Sequence, residues 1–171
     1  IGYCTNRTKE THGESYRYEG SYLEIWELIK KHVSDSMIAI ENFFKIVLFN
    51  YVFSNWDAHL KKFSLLRNDF GEMELSPYYD LMSTIIHTTG ERYTALDLYD
   101  KDHESDYYAT YGHYGRTEFI EFTKRLGLIE IRSFRILDDF IGKEQKIISF
   151  IEKALLSKEA QPLSIKHLQE K

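Results

Sequence analysis

Two periods of apolar residues alternate along the chain, one of three to four residues and one of two, and the change between them sets the reading of the fold. Ser21 and Glu24 form a capping-box pattern around Leu23, Ile25, Trp26, Leu28 and Ile29, which predicts a helix from Tyr22 to His32. A second helix is predicted from Ser36 to Phe53, where Met37, Ile40, Phe44, Val47, Leu48 and Tyr51 recur at helical spacing. Ile38, Phe43, Ile46 and Phe49 add apolar residues to its other faces. This is therefore the central helix, and its aromatics read as core.

The pattern then shortens. Residues 63–67 and 73–75 read as two strands joined by a turn through Asn68, Asp69 and Gly71. Residues 92–98 are a candidate strand, and the polar stretch holding Tyr107, Tyr108, Tyr111, His113 and Tyr114 reads as a mobile loop. Helical spacing returns at 117–126, 129–141 and 144–156, with Thr117 as an N-cap and Gly127 and Gly142 as stops. Residues 1–20 show no period and read as irregular, while the segment after Pro162 either adds one turn or frays. The expectation is a single domain over residues 1–171, mostly α (α+β), a helical bundle with one small β-hairpin.

Composition narrows the function classes. A hydrophobic content of 43% with only two prolines describes a folded chain and excludes disordered and collagen-like classes. The net charge of −5 argues against a surface that binds nucleic acid unaided, because that binding rests on clustered Lys and Arg. One cysteine, Cys4, excludes an internal disulfide. The most apolar stretch, Phe43 to Phe53, contains Lys45 and Asn50 and falls short of the roughly 20 apolar residues of a membrane span, so no membrane partner is expected.

Candidate chemistry lies in Asn55-Trp56-Asp57-Ala58-His59-Leu60-Lys61-Lys62-Phe63-Ser64, a polar loop between the buried helix and the first strand. Phosphoryl transfer needs a carboxylate to orient the attacking hydroxyl and positive groups or metal ions to hold the phosphates, and Asp57, His59 and Lys61 are of those types. A second carboxylate, Asp80 in Ser76-Pro77-Tyr78-Tyr79-Asp80, follows the hairpin, which could fold it back beside the first loop. Asp69-Phe70-Gly71 spells the kinase D-F-G but falls between two predicted strands, where Asp and Gly are ordinary turn residues. Asp69 should therefore lie far from Asp57.

The first loop resembles the N-x-D-x-H-x-K-N-F-S signature of HipA-type serine/threonine kinase toxins, and Pro77-Tyr78-Tyr79-Asp80 resembles their second motif. The resemblance extends to Tyr18-Glu19-Gly20-Ser21 and to the closing helices, more loosely over 84–115. It implies the catalytic, C-terminal lobe of a protein-kinase-like fold, with the hairpin carrying the catalytic and metal loops and with the ATP-cradling lobe outside this chain. It makes Asp57 the base for a substrate hydroxyl and Asp80 the magnesium ligand, with Asn55, His59 and Lys61 shaping the catalytic loop. The implied cofactors are ATP and Mg2+. The implied setting is a bacterial cytoplasmic toxin–antitoxin system. There a protein substrate, in some members an aminoacyl-tRNA synthetase, meets the kinase, a helix-turn-helix antitoxin is its partner, and DNA is contacted only through that antitoxin.

One position departs from the pattern. Lys62 stands where the family has its second metal-binding Asn, and an ammonium group offers no lone pair to magnesium. Either one metal suffices with Lys62 turned outward, or Lys62 occupies the cofactor side of the site in the second metal's place, or the protein is a weak relative. Two other functions stay open beside the kinase: a catalytically silent kinase-like binding module, and a metal hydrolase using Asp57, His59 and Asp80 as ligands. The chain's nine glycines form neither G-x-G-x-x-G nor a P-loop, so the chain alone should bind nucleotide poorly.

Overall fold

A computed structural model describes residues 14–33, 36–87 and 93–171. Most of the segment read as irregular, residues 1–13, lies outside the described residues, as does Arg92 at the start of the candidate strand. A 3-10 turn, Glu14–Tyr18, leads into α1 (Tyr22–His32) and α2 (Ser36–Val52). A second 3-10 turn, Leu60–Lys62, precedes β1 (Leu65–Arg67) and β2 (Met73–Leu75). After a third, Asp102–Glu104, come α3 (Asp106–Tyr111), α4 (Arg116–Leu126), α5 (Glu130–Ile141), α6 (Glu144–Lys153) and α7 (Ala160–Gln169). The described residues thus form a mostly helical bundle with one two-stranded antiparallel sheet.

Local signals explain the first elements. The Ser21 hydroxyl accepts from the Glu24 N–H at 3.2 Å and caps α1, and Lys30, Lys31 and His32 in the last turn complement the helix dipole. Tyr22, Ile25, Trp26 and Ile29 bury one face of α1. Around α2, Ile40, Phe43, Phe44, Ile46, Val47, Leu48 and Tyr51 are all buried, which is what a central helix requires. Phe43 meets Phe63 edge-on with centroids 5.5 Å apart, which ties the central helix to the entry of β1.

Strand register is Leu65 opposite Leu75, Leu66 opposite Glu74 and Arg67 opposite Met73. Asn68 shapes the turn: its Oδ1 accepts from the N–H of Phe70 at 3.0 Å and of Glu72 at 2.9 Å, while Gly71 takes a φ of 83°. Phe70 is 90% exposed at the tip. Asp69 therefore belongs to a solvent-facing turn at the far end of the hairpin from the polar loops, as expected.

Three expectations change. Residues 93–98 form bends with a single bridge, Asp97 to Ser21, because their carbonyls are taken by the first turn of α1: Tyr22 N–H donates to Asp97 at 2.8 Å and Leu23 N–H to Leu98 at 3.1 Å. The Tyr-rich stretch contains a capped helix. Ser105 Oγ accepts from Tyr108 N–H at 3.1 Å, Gly112 closes α3 in the left-handed region, and Tyr114 beyond it is buried, its carbonyl accepting from Tyr51 Oη at 2.5 Å. The last segment is a full helix, α7, rather than a frayed end. A smaller shift moves the N-cap of α4 from Thr117 to Gly115, whose N–H donates to the Glu118 carboxylate at 2.7 Å.

Candidate active site

The loop after α2 is built by two asparagines. Ser54 takes a positive φ of 53° and turns the chain. Asn55 then folds back, its N–H donating to the Asn50 carbonyl at 2.8 Å and its Nδ2 to Asn50 Oδ1 at 2.9 Å. Asn50 is only 4% exposed within an apolar helix, where a polar side chain is costly unless satisfied. That misfit of residue type and surroundings was the available sequence signal for Asn50, which motif reading passed over.

Asn55 also links the two acidic loops. Its Oδ1 accepts from the Asp57 N–H at 3.2 Å, and its Nδ2 reaches the Asp80 carbonyl at 3.3 Å. Asp80 itself takes a φ of 57°, a left-handed conformation that costs a non-glycine residue energy and turns it beside the first loop. The hairpin supplies the return path. Ser76 N–H donates to the Ser64 carbonyl at 2.9 Å, and Tyr79 Oη donates to the Lys61 carbonyl at 3.0 Å. Thr84 braces the loop from behind, donating from N–H and Oγ1 to the Ser54 carbonyl at 3.0 and 2.9 Å and accepting from Trp56 N–H.

Lys62 sits between the carboxylates. Its Nζ lies 2.9 Å from Asp57 Oδ2 and makes a close ion pair with Asp80 Oδ2. It is turned inward, which removes the first of the three alternatives left open by the sequence. Asp57 Oδ1 also accepts from Tyr18 Oη at 2.8 Å. Burial pushes the Asp57 carboxyl up, but the Lys62 ammonium and the Tyr18 hydroxyl outweigh it and hold the carboxyl below its usual range. For Lys62, burial works against the charge and the two carboxylates prevail, so its ammonium is held above the ordinary lysine value.

His59 is 4% exposed and plays a framing part. Its Nδ1 accepts from the Lys61 N–H at 3.2 Å, which leaves the proton of the neutral ring on Nε2, 3.7 Å from Asp57 Oδ1. Burial lowers its pKa against the opposing pull of Asp57. Tyr18 stacks on Trp56 at 4.8 Å and meets the His59 ring edge-on at 5.0 Å. Lys61 Nζ lies over the Tyr16 ring at 4.8 Å. Asp57, Lys62 and Asp80 thus converge, with Asn55 binding their two loops together, while His59 and Lys61 pack around them. Tyr18, which touches Asp57, was visible in the sequence only as part of the stretch before α1.

The space beside Lys62 and Asp80, bounded by Asn50, Asn55, Tyr78 and Tyr79, measures about 10 Å³, far too little for a nucleotide. Asp57, His59 and Asp80 do not bring three ligand atoms within reach of one ion, so the geometry gives the metal-hydrolase reading no support.

Comparison with known proteins identifies a family and a fold likeness. A family model described as HipA-like C-terminal domain matches residues 4–152. A Sinorhizobium fredii protein named "Putative kinase Y4dM" is 35% identical over 84 residues, covering 48% of this chain and 20% of that protein. A Haemophilus influenzae protein named "Putative kinase" is 24% identical over 138 residues, covering 74% of this chain and 39% of its own length. Among solved structures, a chain of the Shewanella oneidensis toxin–antitoxin complex of HipA, HipB and operator DNA matches with a TM-score of 0.62 at 19% identity, over 92% of this chain and 36% of that one. The chain therefore spans between a fifth and two fifths of the length of these relatives.

Proposed function

The chain belongs to the HipA-like C-terminal domain family, and from that premise we propose that it is the catalytic lobe of an ATP-dependent serine/threonine kinase of a toxin–antitoxin system. The carrying observation is the convergence of Asp57 and Asp80 on one cation, with Asn55 hydrogen-bonded to both loops. Asp57 is the base that orients and deprotonates a serine or threonine hydroxyl; its lowered pKa keeps it ionised and able to accept a hydrogen bond at neutral pH. Tyr18 and Lys62 fix its two oxygens, and Asn55 fixes its backbone.

Asp80 is the magnesium ligand in this reading. The donor set fits a hard divalent ion, since two carboxylates already gather around a single positive charge. Magnesium, when bound with ATP, supplies neutralisation of phosphate charge. Asp80 would hold the ion, and the Lys62 ammonium now pairs with that carboxylate. Since the space beside Asp80 is too small for a nucleotide, this reading requires a second lobe outside this chain to complete the nucleotide pocket. An antitoxin that carries the DNA contact completes the reading by analogy with the HipA–HipB–operator complex, and the family resemblance adds a cytoplasmic setting, a protein substrate and the helix-turn-helix form of that antitoxin. Among the described residues no helix is long and apolar enough to cross a membrane.

A second reading has one observation in its favour: the Lys62 ammonium is paired with both carboxylates, as a silent binding module would tolerate. One experiment separates the two. The full-length protein is incubated with γ-phosphate-labelled ATP and Mg2+, alongside its Asp57→Ala and Lys62→Asn variants. Label in the wild type that disappears in Asp57→Ala and rises in Lys62→Asn supports the kinase. No label in either the wild type or Lys62→Asn, both folded, favours the binding module.

A further inference from the structure

Lys171, just beyond α7, reaches the point where α2 ends and the loop of Asp57 begins. Its Nζ donates to the carbonyls of Tyr51 and Val52, the latter at 3.3 Å, and to Ser54 Oγ at 2.6 Å. Three acceptors match the three donors of an ammonium. The two carbonyls are among the last of α2, which have no N–H partner within the helix, and the negative end of its dipole favours a cation there. The Tyr51 and Tyr93 rings flank the charge, with centroids 4.9 and 5.2 Å from Nζ.

Ser54 is where this anchor meets the site. It is buried and takes the left-handed φ of 53°, a conformation that persists in a non-glycine residue only when its surroundings hold it. Lys171 holds its hydroxyl from 117 positions away, and Thr84 holds its carbonyl through both N–H and Oγ1. Thr84 Oγ1 in turn accepts from the N–H of Trp56, the residue before Asp57. Apolar packing does not fix this approach. Leu168 on α7 borders two spaces against the end of α2, about 300 Å³ with Leu48, Tyr51 and Val52 and about 220 Å³ with Val52, Phe53 and Ser54. Voids well above the size of a water leave the seat of α7 on α2 underspecified, and the hydrogen bonds of Lys171 supply what packing does not.

We propose that Lys171 is a positioning residue for the catalytic loop: from beyond α7 it fixes Ser54, and through Ser54 and Thr84 the setting of Asp57. Its effect on phosphate transfer rests on the kinase reading above, whereas its hold on the loop does not. A base displaced by about 1 Å can lose on the order of a hundredfold in rate, so an anchor this far from the chemistry acts on kcat.

The test compares the full-length protein with its Lys171→Met variant, which keeps an apolar stem but has no donor. Both are studied at pH 6, below the value of about 7 to which burial lowers the Lys171 pKa, so that the ammonium form prevails. Hydrogen–deuterium exchange of the amides of residues 55–59 should be at least about tenfold faster in Lys171→Met, while α1 and the hairpin keep wild-type rates. With labelled ATP, kcat should fall at least about tenfold and KM for ATP stay within about twofold, and Lys171→Arg should recover part of both losses. Should Lys171→Met fail to fold, Ser54→Ala removes only the acceptor hydroxyl and carries the same expectations. Unchanged exchange in 55–59, or exchange raised equally throughout the chain, overturns the proposal. So does an unchanged kcat in Lys171→Met beside an active wild type. A wild type that incorporates no phosphate counts against the kinase reading alone, and the exchange result then still decides whether Lys171 holds the loop.

Discussion

Replacing Lys62 by Asn tests whether the ammonium holds a metal's place. In the wild type its Nζ pairs with Asp57 and Asp80, whose side chains are 32% and 34% exposed while that of Lys62 is 21% exposed. Solvent screens pairs this open, so each is worth about 0.5–1 kcal/mol rather than its full Coulomb energy, and their joint loss about 1–2 kcal/mol. In a chain of this size that lowers the unfolding midpoint by about 2–8 °C. The sign with pH follows from Asp57, whose folded pKa is depressed. Its contribution is fully present above the unfolded carboxyl value and is lost as pH falls through the folded one. The gap between wild type and Lys62→Asn should therefore be open at pH 6–7 and narrower at pH 3, below the ordinary carboxyl value. Mg2+ adds the decisive arm. With the ammonium gone the carboxylates are free, and 10 mM Mg2+ binding with a Kd of about 1 mM restores about 1.4 kcal/mol. The wild type should respond much less. Thermal unfolding by circular dichroism at both pH values, with and without Mg2+, reads all of this. Equal midpoints for the two proteins at neutral pH and equal Mg2+ responses would refute the claim that Lys62 stands in for a cation.

Three further outcomes follow. Asn55→Ala strands the buried Asn50 side chain and unties both acidic loops, and should cost about 1–3 kcal/mol in denaturant unfolding while abolishing phosphate incorporation by the full-length protein. Lys171 Nζ caps the end of α2, donating to Val52 O at 3.3 Å and Ser54 Oγ at 2.6 Å, and burial pushes its pKa down to about 7. Unfolded, it titrates near the ordinary lysine value, so between pH 7 and 9 the unfolded chain binds more protons and stability should rise with pH. Lys171→Met should remove up to about 1.4 kcal/mol per pH unit of that slope in denaturation curves. Phe70→Asp at the hairpin tip should change stability by less than about 0.5 kcal/mol and leave any kinase activity intact, whereas a loss of activity would show that the turn is part of the site.

Periodicity and caps are local, and where they decided an element the sequence sufficed. The helix Tyr22–His32 was legible from Ser21, Glu24 and one apolar stripe, and the hairpin turn from Asn68 and Gly71. The acidic loops were legible as motifs because their spacing survives in the linear chain. Residues 93–98 were misread because their backbone partners are the N–H groups of α1, some seventy positions away, which no local pattern announces. The Tyr-rich stretch looked like a loop because its short helix is held by contacts as distant as Tyr51 to Tyr114.

For the site, the sequence determined which residue types were available and that Lys62 replaces an expected asparagine. Only the tertiary structure decided that Lys62 points inward, that Asn50 and Asn55 lock the two loops together, and that Tyr18 reaches Asp57. The physical reason is that motifs record neighbours along the chain, whereas the charge state of Asp57 and the placement of Asp80 depend on groups brought close by burying α1 and α2 against each other.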